Sequence, residues 1–232
     1  MCDYCKSLYD KNMEMLSFAI KYCEENFLHE DIINELYNND DLKKQLCLIE
    51  LDCIKNQKEA DILVFNLTGH SGPVRETASF KILELIKKTE FCSFFQTKEI
   101  INTFVKSVTD INPSVSRNAV QIIKYVSNTE YIYELLIAEI NKTLSQINDN
   151  DKQHSYVMNK KNFNLYWNLE ALISLSLKIN SDSKLIKILE QTAKSKDYTI
   201  REKTAKAAKI FNLTQISEML KDDENIYVRK YL

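Results

Sequence analysis

Glycine and proline occur only twice each in these 232 residues. That scarcity excludes a β-sandwich or a hairpin-rich sheet, whose turns need both. Arginine occurs four times and tryptophan once, although lysine is abundant. The longest apolar run, Ile62-Leu63-Val64-Phe65, falls far short of the ~20 residues that span a bilayer. The N-terminus has no basic segment followed by an apolar core, so no signal peptide is expected. The formal net charge is −2, which supplies no global field for gripping nucleic acid. Neither H-E-x-x-H, G-x-S-x-G nor a P-loop occurs, so no enzyme class is indicated, and no cofactor is expected.

What the chain does contain is lysine, glutamate, leucine and isoleucine, a composition that points to an all-α fold. Apolar residues recur at offsets near four, seven, eight and eleven, the buried stripe of a helix. From Val74 they fall at Ala78, Ile82 and Leu85. From Val115 they fall at Ala119, Ile122 and Val126, and from Leu42 at Leu46, Ile49 and Cys53. A weaker stripe starts at Leu165 and continues through Leu169 and Leu172. Each stripe follows an earlier helix of the same period, giving helical hairpins that start near residues 28, 57, 97, 130, 183 and 213. A further helix near residues 7–25 is expected to cap the array, so that 1–27 form the cap and 28–232 the repeats of a single domain. Ala78, Ala119, Ala205 and Ala208 are small enough for close helix approach.

The four arginines, Arg75, Arg117, Arg201 and Arg229, all stand just after a turn. They follow Gly-Pro-Val, Asn-Pro-Ser-Val-Ser, Asp-Tyr-Thr-Ile and Asn-Ile-Tyr-Val. Arg117 is shifted by one residue. A residue type confined to one register of a repeat marks stacked supersecondary units. Turns such as Gly-Pro-Val-Arg-Glu-Thr-Ala and Asp-Tyr-Thr-Ile-Arg-Glu-Lys-Thr-Ala resemble those of HEAT and HEAT-like repeats. The resemblance implies a right-handed α-solenoid of about six stacked hairpins. It also implies that the four arginines are structural and bridge adjacent repeats.

Few other features suggest chemistry. Cys2 and Cys5 form a C-x-x-C pair, with Cys23 and His29 the only candidates to complete a zinc site, and no metal site is assigned. Cys47, Cys53 and Cys92 read as core. His29, His70 and His154 are isolated in sequence, and no nucleophile–base pair is evident. Gly69-His70-Ser71-Gly72-Pro73 reads as a tight turn needing positive φ, with anion binding the lesser reading. Lys203, Lys206 and Lys209 make a basic stripe, read as a solvated face. The stretch from Asn148 to Trp167 lengthens one repeat and mixes basic with aromatic residues. Its Tyr156, Lys160, Lys161, Tyr166 and Trp167 are the expected partner-binding residues, because insertions in repeat arrays often map to binding loops.

Residues 1–66 carry fourteen acidic side chains against seven lysines, and residues 151–232 fifteen basic against ten acidic. The expected function is a non-enzymatic scaffold that binds a protein partner in the cytoplasm. Two alternatives share the repeat type. One is a nucleic-acid protein similar to the HEAT-like glycosylases of alkylated bases, which the acidic N-terminal third disfavours along with duplex-DNA binding. The other is a HEAT-like lyase or chaperone. No membrane association is expected.

Overall fold

Asp40, Asn56, Thr97, Asn112, Asp182, Asp197 and Asn225 each end a stretch of extended backbone and accept hydrogen bonds from amides of the helix that follows. Side-chain oxygens at this position satisfy donors that a helix start leaves open. Seven helices of the computed structural model begin at these caps. The structure describes residues 6–7, 10–17, 28–148 and 155–232. Every regular element among them is helical. None of these helices is long and apolar enough to cross a membrane.

The chain divides into two compact units, Met1–Phe95 and Gln96–Leu232. The first holds α1 (His29–Glu35), α2 (Asp41–Glu50), α3 (Gln57–Phe65), α4 (Gly72–Ile86), α5 (Thr89–Cys92) and a 3₁₀ turn, Ser93–Phe95. There α2 packs on both α1 and α4, and α3 on α4. Leu36, Leu48, Leu51, Leu63, Ile82 and Leu85 are fully buried. Of the expected capping helix, residues 10–17 are helical, and most of the remainder of 1–27 lies outside the described residues.

The second unit holds α6 (Lys98–Ser107), α7 (Pro113–Ile122), a 3₁₀ turn at Ile123–Tyr125, α8 (Thr129–Asn148) and α9 (Ser155–Ser174). After these come α10 (Ser183–Thr192), α11 (Tyr198–Ile210), α12 (Thr214–Leu220) and α13 (Ile226–Arg229). Within this unit α6 packs on α8, α8 on α10, and α10 on α12. In the same way α7 packs on α9, α9 on α11, and α11 on α13. Ala119, Ala205 and Ala208 are buried where these helices approach, and Ala78 is buried in the first unit.

Three expectations need correction. The stripe drawn through Leu42 and Ile49 is out of phase, for both are exposed while Cys47, Leu48 and Leu51 are buried. The helix also stops at Glu50, which leaves Cys53 in the following loop. Among the described residues no glycine has positive φ, and a Cβ at Gly72 would meet nothing within 4 Å. The turn before α4 therefore does not depend on glycine geometry. Finally, the longer repeat puts its added length into helix. Helices α8 and α9 have 20 residues each, against 10 each in α6 and α7.

Candidate functional site

The arginine register resolves into a hook. Arg75 Nη1 donates to the Gly69 and His70 carbonyls at 2.9 and 3.0 Å, six and five residues back. Arg201 Nη1 does the same to Ser195 and Lys196, at 2.9 and 3.2 Å. Arg229 Nη1 hooks the Asp223 carbonyl, again six residues back. Arg201 also reaches the next turn. Its Nε and Nη2 clamp the two carboxylate oxygens of Asp223 at 2.6 and 3.1 Å. The pair is well covered, with 11% of the arginine and 6% of the aspartate side chain exposed. The Arg201 hydrogen bond is the main cause that holds the Asp223 carboxyl below its usual range.

Arg117 departs from the expected role. It is exposed and makes no hydrogen bond or ion pair among the described residues. Ser116 occupies the hook position instead, and its Oγ donates to the Asp110 carbonyl, six residues back, at 2.9 Å. The one-residue shift turns the arginine out of the turn.

The expected partner-binding residues separate. On α9, Phe163, Tyr166, Trp167 and Glu170 share a face, being three, four and seven residues apart. Trp167 meets Tyr166 edge-on at 5.4 Å between centroids and Phe163 at 6.2 Å. Tyr166 and Trp167 are partly buried. Lys160 is exposed. Lys161 is buried and donates to the Gln146 carbonyl at 2.7 Å, so it ties α9 to α8 and is unsuited to binding a partner. The side chain of Tyr156 lies outside the described residues.

Sequence reasoning missed the group opposite this face. Lys203 and Lys206 of α11 converge on Glu170, at 2.6 and 2.9 Å. Lys203 is 9% exposed, and its Nζ lies 4.3 Å from the centre of the Tyr166 ring. Such a cation over an aromatic face contributes about 0.5–2 kcal/mol. Burial pushes the Glu170 carboxyl upward, but hydrogen bonds from Lys203 and Lys206 outweigh it and leave the group below its usual range. Burial works against the Lys203 ammonium too, and the bond to Glu170 wins, raising it. Two of the three lysines in the basic stripe thus share one carboxylate within the protein, which compensates one of their two charges. Asn162 adds a bond from Nδ2 to Asp197, the cap of α11, at 2.8 Å.

The same row continues onto α13. Tyr198 and Tyr227 stack loosely at 6.5 Å, and they are 43% and 56% exposed. Lys230 pairs with Glu202 at 2.8 Å and lies over both Tyr227 and Tyr231. The result is an aromatic ridge on α9, α11 and α13 whose charges are largely paired. No carboxylate pair, nucleophile or metal-holding group stands on it, and no group of side chains fit to hold a metal ion occurs among the described residues. Cys2, Cys5, Cys23 and His154 lie outside the described residues.

In the first unit, His29, isolated in sequence, meets Cys53 across 24 positions, and Cys53 is only partly buried and not in the core as read from the sequence. No pattern of spacing announces that meeting.

No family model and no curated protein matches the chain. A crystal structure of an engineered protein from a structural genomics consortium aligns with 88% of this chain and 92% of its own, at 14% identity and a TM-score of 0.44. A likeness this loose bears on neither family nor function.

Proposed function

We propose that the chain is a HEAT-like right-handed α-solenoid of about six stacked hairpins behind an N-terminal capping helix, and a non-enzymatic scaffold for a protein partner. The observation that carries the functional reading is the ridge of α9, α11 and α13. Tyr166, Trp167, Tyr198 and Tyr227 offer aromatic edges with few rotatable bonds, which lose little entropy on binding. Lys203, Lys206 and Lys230 beside them are held by Glu170 and Glu202, so two carboxylates compensate two of three cations and the charge offered to phosphates is reduced. That balance favours a protein surface over duplex DNA. A reducing compartment such as the cytoplasm suits the unpaired thiols Cys47 and Cys53.

The test is co-purification from the native cell followed by mass spectrometry, run on the wild type, Trp167→Ala, the Tyr198→Ala/Tyr227→Ala pair and a Lys142→Ser control. The two exposed tyrosines can be trimmed without touching the core. A partner retained by the control and lost from both ridge variants supports the reading. The same partner set in all four samples sinks it. Duplex DNA should show no salt-dependent shift at submicromolar protein.

A further inference from the structure

The loop between α2 and α3 carries Cys53 to the start of α1. Its Sγ lies 3.8 Å from His29 Nδ1. The other ring nitrogen, Nε2, lies 2.8 Å from Glu59 Oε2. Glu59 is itself fixed. Oε2 accepts from the Lys55 amide at 2.8 Å, and Oε1 from Asn56 Nδ2 at 2.8 Å. Burial pushes this carboxyl upward, but the bonds from Lys55, His29 and Asn56 prevail and keep it below its usual range. A carboxylate only accepts, so the neutral imidazole carries its hydrogen on Nε2. That tautomer leaves the Nδ1 lone pair facing the thiol. Thiol, imidazole and carboxylate thus stand in the order that activates a nucleophile. Cys53 is only partly buried, unlike Cys47, whose thiol is enclosed and pushed up to about 12 by burial, with Glu35 adding to it.

We propose that Cys53 is a site of reversible S-thiolation by small disulfides, with His29 as its base and Glu59 positioning His29. The Sγ proton passes to His29 Nδ1. The thiolate attacks one sulfur of the small disulfide, a new S–S bond forms, and the old one breaks. The departing thiolate takes the bonding pair and is protonated by the imidazolium. The protein thiol is oxidised to a mixed disulfide as half of the small disulfide is reduced to a thiol. A second small thiol reverses the exchange.

The test uses the full chain with Cys2, Cys5 and Cys23 replaced by serine, and oxidised glutathione as the probe. Peptide mass spectrometry follows the rate of glutathione addition at each remaining cysteine near neutral pH. Cys53 should react faster in the folded chain than in the same chain unfolded in urea, although partial burial alone would slow it. His29→Gln should lower the folded rate about tenfold or more, in line with loss of a general base. Cys47 should stay unmodified in both and so report that the unit remains folded. If His29→Gln exposes Cys47, the folded-against-urea comparison decides instead, together with Glu59→Gln, which keeps the imidazole and should fall between wild type and His29→Gln. A folded rate at or below the urea rate overturns the proposal. So does a His29→Gln rate equal to wild type with Cys47 still protected.

Discussion

A guanidinium at the hook position holds carbonyls of its own turn, and Arg201 shows what more it can do. Three of its nitrogens are engaged at once, one on carbonyls and two on Asp223. Lysine keeps the charge but not the fork. Arg201→Lys should therefore cost about 1–3 kcal/mol in a urea unfolding measurement. Arg117→Lys, at an exposed position without partners among the described residues, should stay within about 0.5 kcal/mol. An equal loss from both would show that register alone, and not these bonds, decides the arginine's worth. The register is legible in the sequence because arginine is so rare. Its reach is not. Whether a side chain ends on its own turn or the next depends on where Asp223 stands, 22 positions away.

At the scale of the element, caps are the readable signal. Asn112 before Pro113, Asp197 and Asn225 all cap the helices that follow them, as their residue types suggest. Asp197 carries a double duty, since its second oxygen also accepts from Asn162. Asp197→Ala should then cost about 0.5–2 kcal/mol for the cap. Asn162→Ala combined with it should be less than additive, because the two share one bond. Strict additivity in a double-mutant cycle would discard the cross-helix link. Phase and length are harder to read. In α2 the choice between Leu48 and Ile49 as the buried residue rests on which side meets α1 and α4, and periodicity alone does not say. In α9 the polar residues Asn159 to Asn162 hide a helix that starts ten positions before Leu165. The aromatic face is visible in sequence, whereas the Glu170 and lysine cluster joins residues 33 and 36 positions apart and has no local signature.

Over the whole molecule, the carboxylates that organise the packing all lean one way. Asp223, Glu170, Asp182 and Glu59 are each held below their usual values. A lowered folded value means that the folded form resists protonation more than the unfolded chain does. The stability contributed is present above the ordinary carboxylate range, about pH 4, and is lost as pH falls through it. Three of the four lie in Gln96–Leu232. That unit also holds the only tryptophan, so fluorescence from Trp167 should report its unfolding directly. The urea midpoint followed by Trp167 should drop between neutral pH and about pH 3, and Glu170→Gln should flatten the drop. A midpoint indifferent to acid would mean that these carboxylates are paired without consequence.

The hook at each corner has an implication for how such a chain can change length. Arg75, Arg229 and Ser116 fasten carbonyls five or six residues upstream, and so the corner and the helix it opens come from one uninterrupted stretch of gene. A segment copied from its turn to the end of its helix would arrive with its corner already closed. Duplication or loss of such a segment then leaves the hook itself intact. Arg201 adds a further grip, on Asp223 in the segment that follows. The stretch from Ser195 to Asp223 is therefore inherited as one piece, and a recombination point inside it would strand a guanidinium without its carboxylate.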